Sequence, residues 1–128
     1  MLNKAVVRYE GLKKTIKLAA GIYLHDKKGL IKEDAKNGII AYAEDAFSDS
    51  KNSVGRNYVG AYMPKQFTQT KLDDVHVLLL ADYNVGNDHI YYFGGGWSKW
   101  KFKTDKEWLD AMLQFSITQQ QPLKVTIK

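Results

Sequence analysis

Trp97 and Trp100 bracket Ser98 and Lys99 directly after a glycine triplet, Gly94-Gly95-Gly96, in the run from Tyr91-Tyr92-Phe93 to Lys101-Phe102. Indole faces are flat and apolar, and the hydroxyl and ammonium groups beside them donate hydrogen bonds. A sugar ring presents C–H patches and hydroxyls together, so this combination suits carbohydrate. The same residues also have a purely structural use, with Trp97 and Trp100 packed against a helix carrying Trp108 and the glycines making room. The histidines His25, His76 and His89 stand at strand positions without the spacing of a paired metal motif. His76, between Val75 and Val77, reads as a core or face residue. His25 ends a strand just before a turn, where a general acid or base reaches solvent. Glu44-Asp45, Asp73-Asp74 and Asp82 are the acidic candidates for two-carboxylate chemistry. Adjacent strand residues face opposite sides, however, and these residues adjoin loops, so most of them read as solvated turn residues. There is no Gly-x-Ser-x-Gly, phosphate loop or dinucleotide fingerprint. No catalytic residue stands out, and neither a metal nor a cofactor is expected.

Composition narrows the field further. The 128 residues include no cysteine, which removes disulfides, thiol nucleophiles and thiolate metal sites. Basic side chains outnumber acidic ones by 19 to 14, giving a formal charge of +5, and all but Arg8 and Arg56 are lysines. Sites that read bases or clamp phosphates draw on arginine forks, so nucleic acid is not an expected partner. The lysines read instead as solvated strand faces and charged sheet edges. No apolar run approaches the ~20 residues of a membrane span, and Met1-Leu2-Asn3-Lys4 runs into alternating sequence without a signal-peptide pattern. The expectation is a soluble chain with no membrane partner and no compartment fixed by its own sequence.

The elements that must position these groups show mainly period-two alternation. Ala5, Val7 and Tyr9 form one apolar face, and Ile16, Leu18, Ala20, Ile22 and Leu24 form another. Turns are predicted at Asp26-Lys27-Lys28-Gly29 and at Lys36-Asn37-Gly38, the latter a hairpin signal leading into Ile39-Ile40-Ala41-Tyr42. The polar stretch from Glu44 to Asn57 reads as a long loop. Tyr58 to Met63 is extended, and Val75 to Asp82, apolar on both faces, reads as a central strand. Asn84 to Asp88 is predicted as a hairpin turn into His89 to Phe93, after which the three glycines break the ladder. Thr104 and Glu107 form a capping box for one amphipathic helix over about 105–118, with Trp108, Met112 and Phe115 on its buried face. Pro122 then opens a last strand carrying Leu123, Val125 and Ile127. The fold class is mainly β: a single domain over 1–128, an antiparallel β-sandwich or curved sheet with one C-terminal helix.

Four segments in order carry a family resemblance: Gly21-Ile22-Tyr23-Leu24-His25, Gly38-Ile39-Ile40-Ala41-Tyr42-Ala43-Glu44, Tyr91 through Lys99, and Phe102-Lys103-Thr104-Asp105-Lys106-Glu107-Trp108. The closing Pro122-Leu123-Lys124-Val125-Thr126 fits as well. Together they resemble the C-terminal part of an uncharacterised family of secreted bacterial proteins associated with breakdown of polysaccharides, particularly uronate-containing glycans such as pectin. The resemblance implies a larger antiparallel supersandwich of the mutarotase-like kind, of which this chain is about a third, and a periplasmic or secreted location for the longer protein. It also implies His25, Tyr42, His76, Trp97 and Lys99 as candidate sugar contacts.

The functional expectation is therefore a carbohydrate-associated β-sandwich that binds an oligosaccharide, acidic ones included. Any catalysis would be of glycoside hydrolase or lyase type, through a histidine, tyrosine or carboxylate. The alternative is a non-catalytic structural or interaction module that self-associates through exposed sheet edges, as a homodimer.

Overall fold

A computed structural model describes residues 2–25, 27–47, 51–64, 67–121 and 123–127. Eight strands precede one helix: β1 Leu2–Val7, β2 Ile16–Tyr23, β3 Leu30–Asp34, β4 Ile39–Phe47, β5 Ser53–Tyr62, β6 Phe67–Leu72, β7 His76–Tyr83, β8 His89–Trp97 and α1 Asp105–Gln120. They form two antiparallel sheets, one of five strands in the order β1-β8-β5-β4-β3 and one of three in the order β2-β7-β6. The expected mainly-β class with a single C-terminal helix is the observed one.

The molecule has three layers, and β4 explains why. Ile39 to Ala43 are all buried, so this strand is covered on both faces. Ile40 and Tyr42 face the three-stranded sheet and pack with Ala20, Ile22, Leu24, Val77, Leu79 and Ala81. Ile39, Ala41 and Ala43 face the helix, with Tyr58, Tyr62, Phe102, Trp108 and Met112. The N-cap half of the predicted capping box forms, with Thr104 Oγ1 accepting from the Glu107 amide at 3.2 Å, while Glu107 Oε2 reaches one residue further back and accepts from the Lys103 amide at 2.7 Å. Trp108 and Met112 are the buried anchors of α1.

Several expectations need correction. The supposed loop from Glu44 to Asn57 is largely the two arms of the β4–β5 hairpin, whose ladder runs down to Phe47↔Ser53 past an irregularity at Ala46 and Phe47. Its polar residues sit at an end of the sheet where charge meets charge across the ladder, as in Asp45 opposite Arg56. The glycine triplet does not break β8. Gly94, Gly95 and Gly96 pair with Gly60, Val59 and Tyr58, and a Cβ on Gly95 would stand 2.5 Å from the Tyr58 carbonyl oxygen. A Cβ on Gly96 would stand 2.7 Å from the Phe102 ring. At Gly95 and Gly96 the neighbours come too close for a side chain.

The turn at Asn84 to Asp88 joins strands of different sheets, so β7 and β8 are not a hairpin. The Lys36-Asn37-Gly38 turn does close a hairpin, β3 with β4, with Gly38 at φ 66°. Two edge strands, β3 and β6, escape the alternation rule because charged and polar side chains occupy both of their faces. The strand expected after Pro122 is absent: residues 123–127 hold no strand, and Leu123, Val125 and Ile127 are exposed. Pro122 itself, and part of the predicted turn at Asp26, lie outside the described residues. No helix among the described residues is long and apolar enough to cross a membrane.

Candidate functional site

The end of the five-stranded sheet distal to the Lys36-Asn37-Gly38 turn gathers polar groups on the face that the sheet turns toward the smaller one. Cross-strand partners share a face. Trp97 of β8 opposes Asn57 of β5, and Asn57 in turn opposes Glu44 of β4. Asn57 and Glu44, with His25, Asp45, Ala46 and Phe47, line an open depression of about 520 Å³.

Trp97 reaches toward this depression. A Cβ on Gly55 would lie 2.9 Å from Trp97 Nε1, 2.7 Å from Ser98 Oγ and 3.5 Å from Lys99 Cγ, so all three side chains converge on that glycine. Gly55 has φ +124°, outside the range L side chains favour, and it opposes Ala46 in the ladder. Trp97 is 41% exposed and Trp100 is 67% exposed, so neither is buried against Trp108. That place belongs to Tyr58, stacked on Trp108 with ring centroids 5.9 Å apart, and to Phe102, edge-on to it at 5.0 Å.

On the other side of the depression, Tyr42 is buried and its hydroxyl donates to Glu44 Oε2 at 2.9 Å. The Gly29 turn lies against the Tyr42 ring, where a Cβ would be 2.5 Å from Cε2. His25 Nδ1 stands 3.8 Å from the same Glu44 oxygen, within ion-pair reach when the imidazole is protonated but too long for a hydrogen bond. The Glu44 side chain is only 17% exposed and His25 is mostly in water. Glu44 is thus a mostly shielded strand residue that lines the depression, not a solvated turn carboxylate.

The opposite face of the same sheet end is held by Arg56. Its Nε and Nη2 donate to the two Asp105 carboxylate oxygens at 2.7 and 2.9 Å, and Nη1 donates to Asp45 Oδ1 at 2.9 Å. Nη2 also meets the Ala43 carbonyl at 3.3 Å. The paired carboxylates raise the guanidinium pKa above its ordinary value, although partial burial opposes them. This clamp ties the first turn of α1 to β4 and β5, directly behind Gly55 and Asn57.

Four of the five residues singled out from the sequence, His25, Tyr42, Trp97 and Lys99, therefore lie around one end of the sheet. His76 does not join them. It opposes Tyr23 on the outer face of the three-stranded sheet, edge-on to that ring at 5.7 Å and 3.3 Å from Asp73 Oδ1. Asn57 and Glu44 were passed over because the polar stretch hid the strands that carry them; the i, i+2 spacing of Tyr42 and Glu44 was the available signal. Among the described residues, no group of three or more His, Asp or Glu side chains is placed to hold a metal ion.

Residues 1–125 match a family model described as a domain of unknown function, DUF4861. The chain belongs to that family. This DUF4861 chain is also 32% identical, over 119 residues, to the uncharacterized protein P7 of Formosa agariphila. That similarity covers 89% of the chain and 29% of the Formosa protein, so the DUF4861 chain spans less than a third of this relative's length. No solved structure matches it.

Proposed function

We propose that the chain binds an oligosaccharide, acidic ones included, at the open end of the five-stranded sheet. Trp97 is the stacking plate, Asn57 and Glu44 are the hydrogen-bonding groups of the floor, and His25 is a polar group at the mouth. Lys99 is the cation that meets a uronate carboxylate, and Tyr42 acts through the Glu44 carboxylate it holds. The observation that carries this reading is a half-exposed indole standing one strand away from a polar depression, on the same face and in cross-strand register with it. A sugar ring is held where its C–H face lies on an aromatic ring while its hydroxyls meet carboxylate and amide groups. We extend the proposal to a role in polysaccharide breakdown within a supersandwich of the mutarotase-like kind. The antiparallel two-sheet architecture and the sequence resemblance support that extension.

A glycan array probed at low and high salt tests the idea, with hits followed by calorimetry and indole fluorescence. Ring stacking survives added salt, whereas attraction to the lysine excess fades as charges are screened. Trp97→Ala should weaken a genuine hit by about tenfold or more, or ~1.4 kcal/mol, with the melting temperature little changed. Asn57→Ala should weaken it by a smaller factor. The reading fails if no glycan is retained at high salt, or if Trp97→Ala binds as the parent does.

A further inference from the structure

Residues 123–127 have the alternation of a strand without belonging to one. Leu123, Val125 and Ile127 are 94%, 84% and 92% exposed, with Lys124 and Thr126 between them. A sequence of this pattern is suited to a ladder in which one face is buried.

Four strand edges are open in the two sheets, those of β1, β2, β3 and β6. Charge on an edge hinders pairing with another strand. β3 carries Lys32, Glu33 and Asp34, β6 carries Lys71, and β1 carries Lys4 beside Asn3. β2 differs: after Lys17 it reads Leu18-Ala19-Ala20-Gly21-Ile22-Tyr23, six residues without a charge. Beneath that edge runs an apolar groove of about 410 Å³, whose lining includes Ala19, Gly21, Val59, Tyr91, Phe93 and Gly95. Phe93 is 45% exposed in it and Val59 is 39% exposed. Small residues on the edge let another backbone come close, and an apolar floor accepts alternate side chains, which is the arrangement used for strand addition.

We propose that the open edge of β2 is a strand-addition site, and that its occupant is residues 123–127 of a second copy, exchanged reciprocally to make a two-fold dimer. The five residues fit within the uncharged stretch of β2, which runs for six residues from Leu18 to Tyr23. Leu123, Val125 and Ile127 cover Val59 and Phe93, and Lys124 and Thr126 face water.

A chain's own tail cannot seat all five of its residues in the groove, because Leu123 does not reach it. α1 lies on the opposite face of the five-stranded sheet and ends at Gln120, beside Gln119, which hydrogen-bonds Tyr92 of β8 at 3.1 Å. The path around β8 and β1 to the other face is roughly 20 Å, from strand spacings of ~4.8 Å and layer spacings of ~10 Å. The three residue steps from Gln120 to Leu123 span at most about 11 Å. This inference stands apart from the sugar-binding reading and rests on different residues.

Light scattering on the purified 128-residue chain, over a roughly hundredfold concentration range, reads the dimer directly through its mass-action dissociation. Truncation after Gln121 and Val125→Pro both act outside every strand and helix, so each should give a monomer with an unchanged circular dichroism spectrum. Ala19→Lys on the β2 edge should do the same. A synthetic peptide Pro-Leu-Lys-Val-Thr-Ile-Lys added to the truncated chain should shift the amide resonances of Leu18 to Ile22. A parent chain monomeric at every concentration overturns the proposal, as does a dimer that survives truncation. So does a truncated chain whose β2 amides ignore the peptide.

Discussion

Gly95→Ala tests whether the glycine triplet exists to let β5 and β8 approach. The added Cβ would stand 2.5 Å from the Tyr58 carbonyl oxygen, with the Tyr58 carbonyl carbon at 3.7 Å and Val59 Cα at 4.0 Å. The obstructing atom is backbone in the middle of the five-stranded sheet, so no rotamer change relieves the contact. Restoring ordinary van der Waals distance requires the strands to part by about 0.7 Å, an overpacking that costs ~1–3 kcal/mol. Stretching the neighbouring ladder bonds adds on the order of 1 kcal/mol. Against this, alanine lowers the entropy of the unfolded chain by about 0.4–1 kcal/mol. The net loss is ~2–3 kcal/mol, which for a domain of this size lowers the melting temperature by about 6–15 °C.

Thermal and urea melts followed by far-ultraviolet circular dichroism measure the loss. Two other glycines calibrate it. Gly60→Ala meets the flexible end of Met112 at 2.7 Å and Trp108 Cζ2 at 3.0 Å, so part of that contact can relax and the loss should be smaller. Gly86→Ala has open space around it and only its φ of +85° to resist, at about 1 kcal/mol. If Gly95→Ala proves no more damaging than Gly86→Ala, the close-approach explanation of the triplet is wrong.

Three further outcomes follow from the packing and charges. Asp105→Asn keeps the shape but removes the charge facing Arg56, so stability should fall by ~1–2 kcal/mol and the loss should shrink in high salt, as read by urea melts. Thr104→Ala removes the hydroxyl that accepts from Glu107 and should cost ~1 kcal/mol, with less helical signal at 222 nm on heating. His89 is buried between Tyr83 and Tyr91, and desolvation lowers its pKa below the ordinary 6.5. The unfolded chain then binds a proton that the folded chain refuses, so stability should decline as pH falls below 6.5, by up to ~1.4 kcal/mol per unit. Melts of the parent and of His89→Gln across that window check this, because the variant should lose the slope. Asp73, whose pKa is lowered first by the Val75 amide, titrates in a separate window below 3.8.

What the sequence showed and what it hid divide along physical lines. β2 and the capped helix were readable because a single hydrophobic period governs each, and β4 and β7 because short apolar runs bounded by turns mark strands covered on both faces. β3 and β6 were not, since an edge strand blunted by Lys32, Glu33, Asp34 or Lys71 has the composition of a loop. The hairpin arms around Glu44 and Asn57 were hidden for a related reason. Their polarity reflects a sheet end that carries a charge clamp on one face and a polar depression on the other. The predicted last strand had the right alternation, but alternation states what a segment can bury, and among the described residues nothing covers residues 123–127.

Arg56 and Asn57 are sequence neighbours with opposite duties, and that opposition explains how a shallow site can be held in shape. On a strand, adjacent side chains face opposite sides. Arg56 turns toward α1 and is fixed by two carboxylates, while Asn57 turns toward the depression. The backbone of the same residue also anchors the segment after β8: the Arg56 amide donates to Ser98 Oγ at 2.9 Å, and the Ser98 amide donates to the Arg56 carbonyl at 3.0 Å. Trp97 and Lys99 flank that serine, so their placement over Gly55 depends on the strand that Arg56 holds. Loosening Arg56 should therefore disturb the proposed sugar binding and helix docking together, whereas removing the Trp97 ring should disturb the first alone.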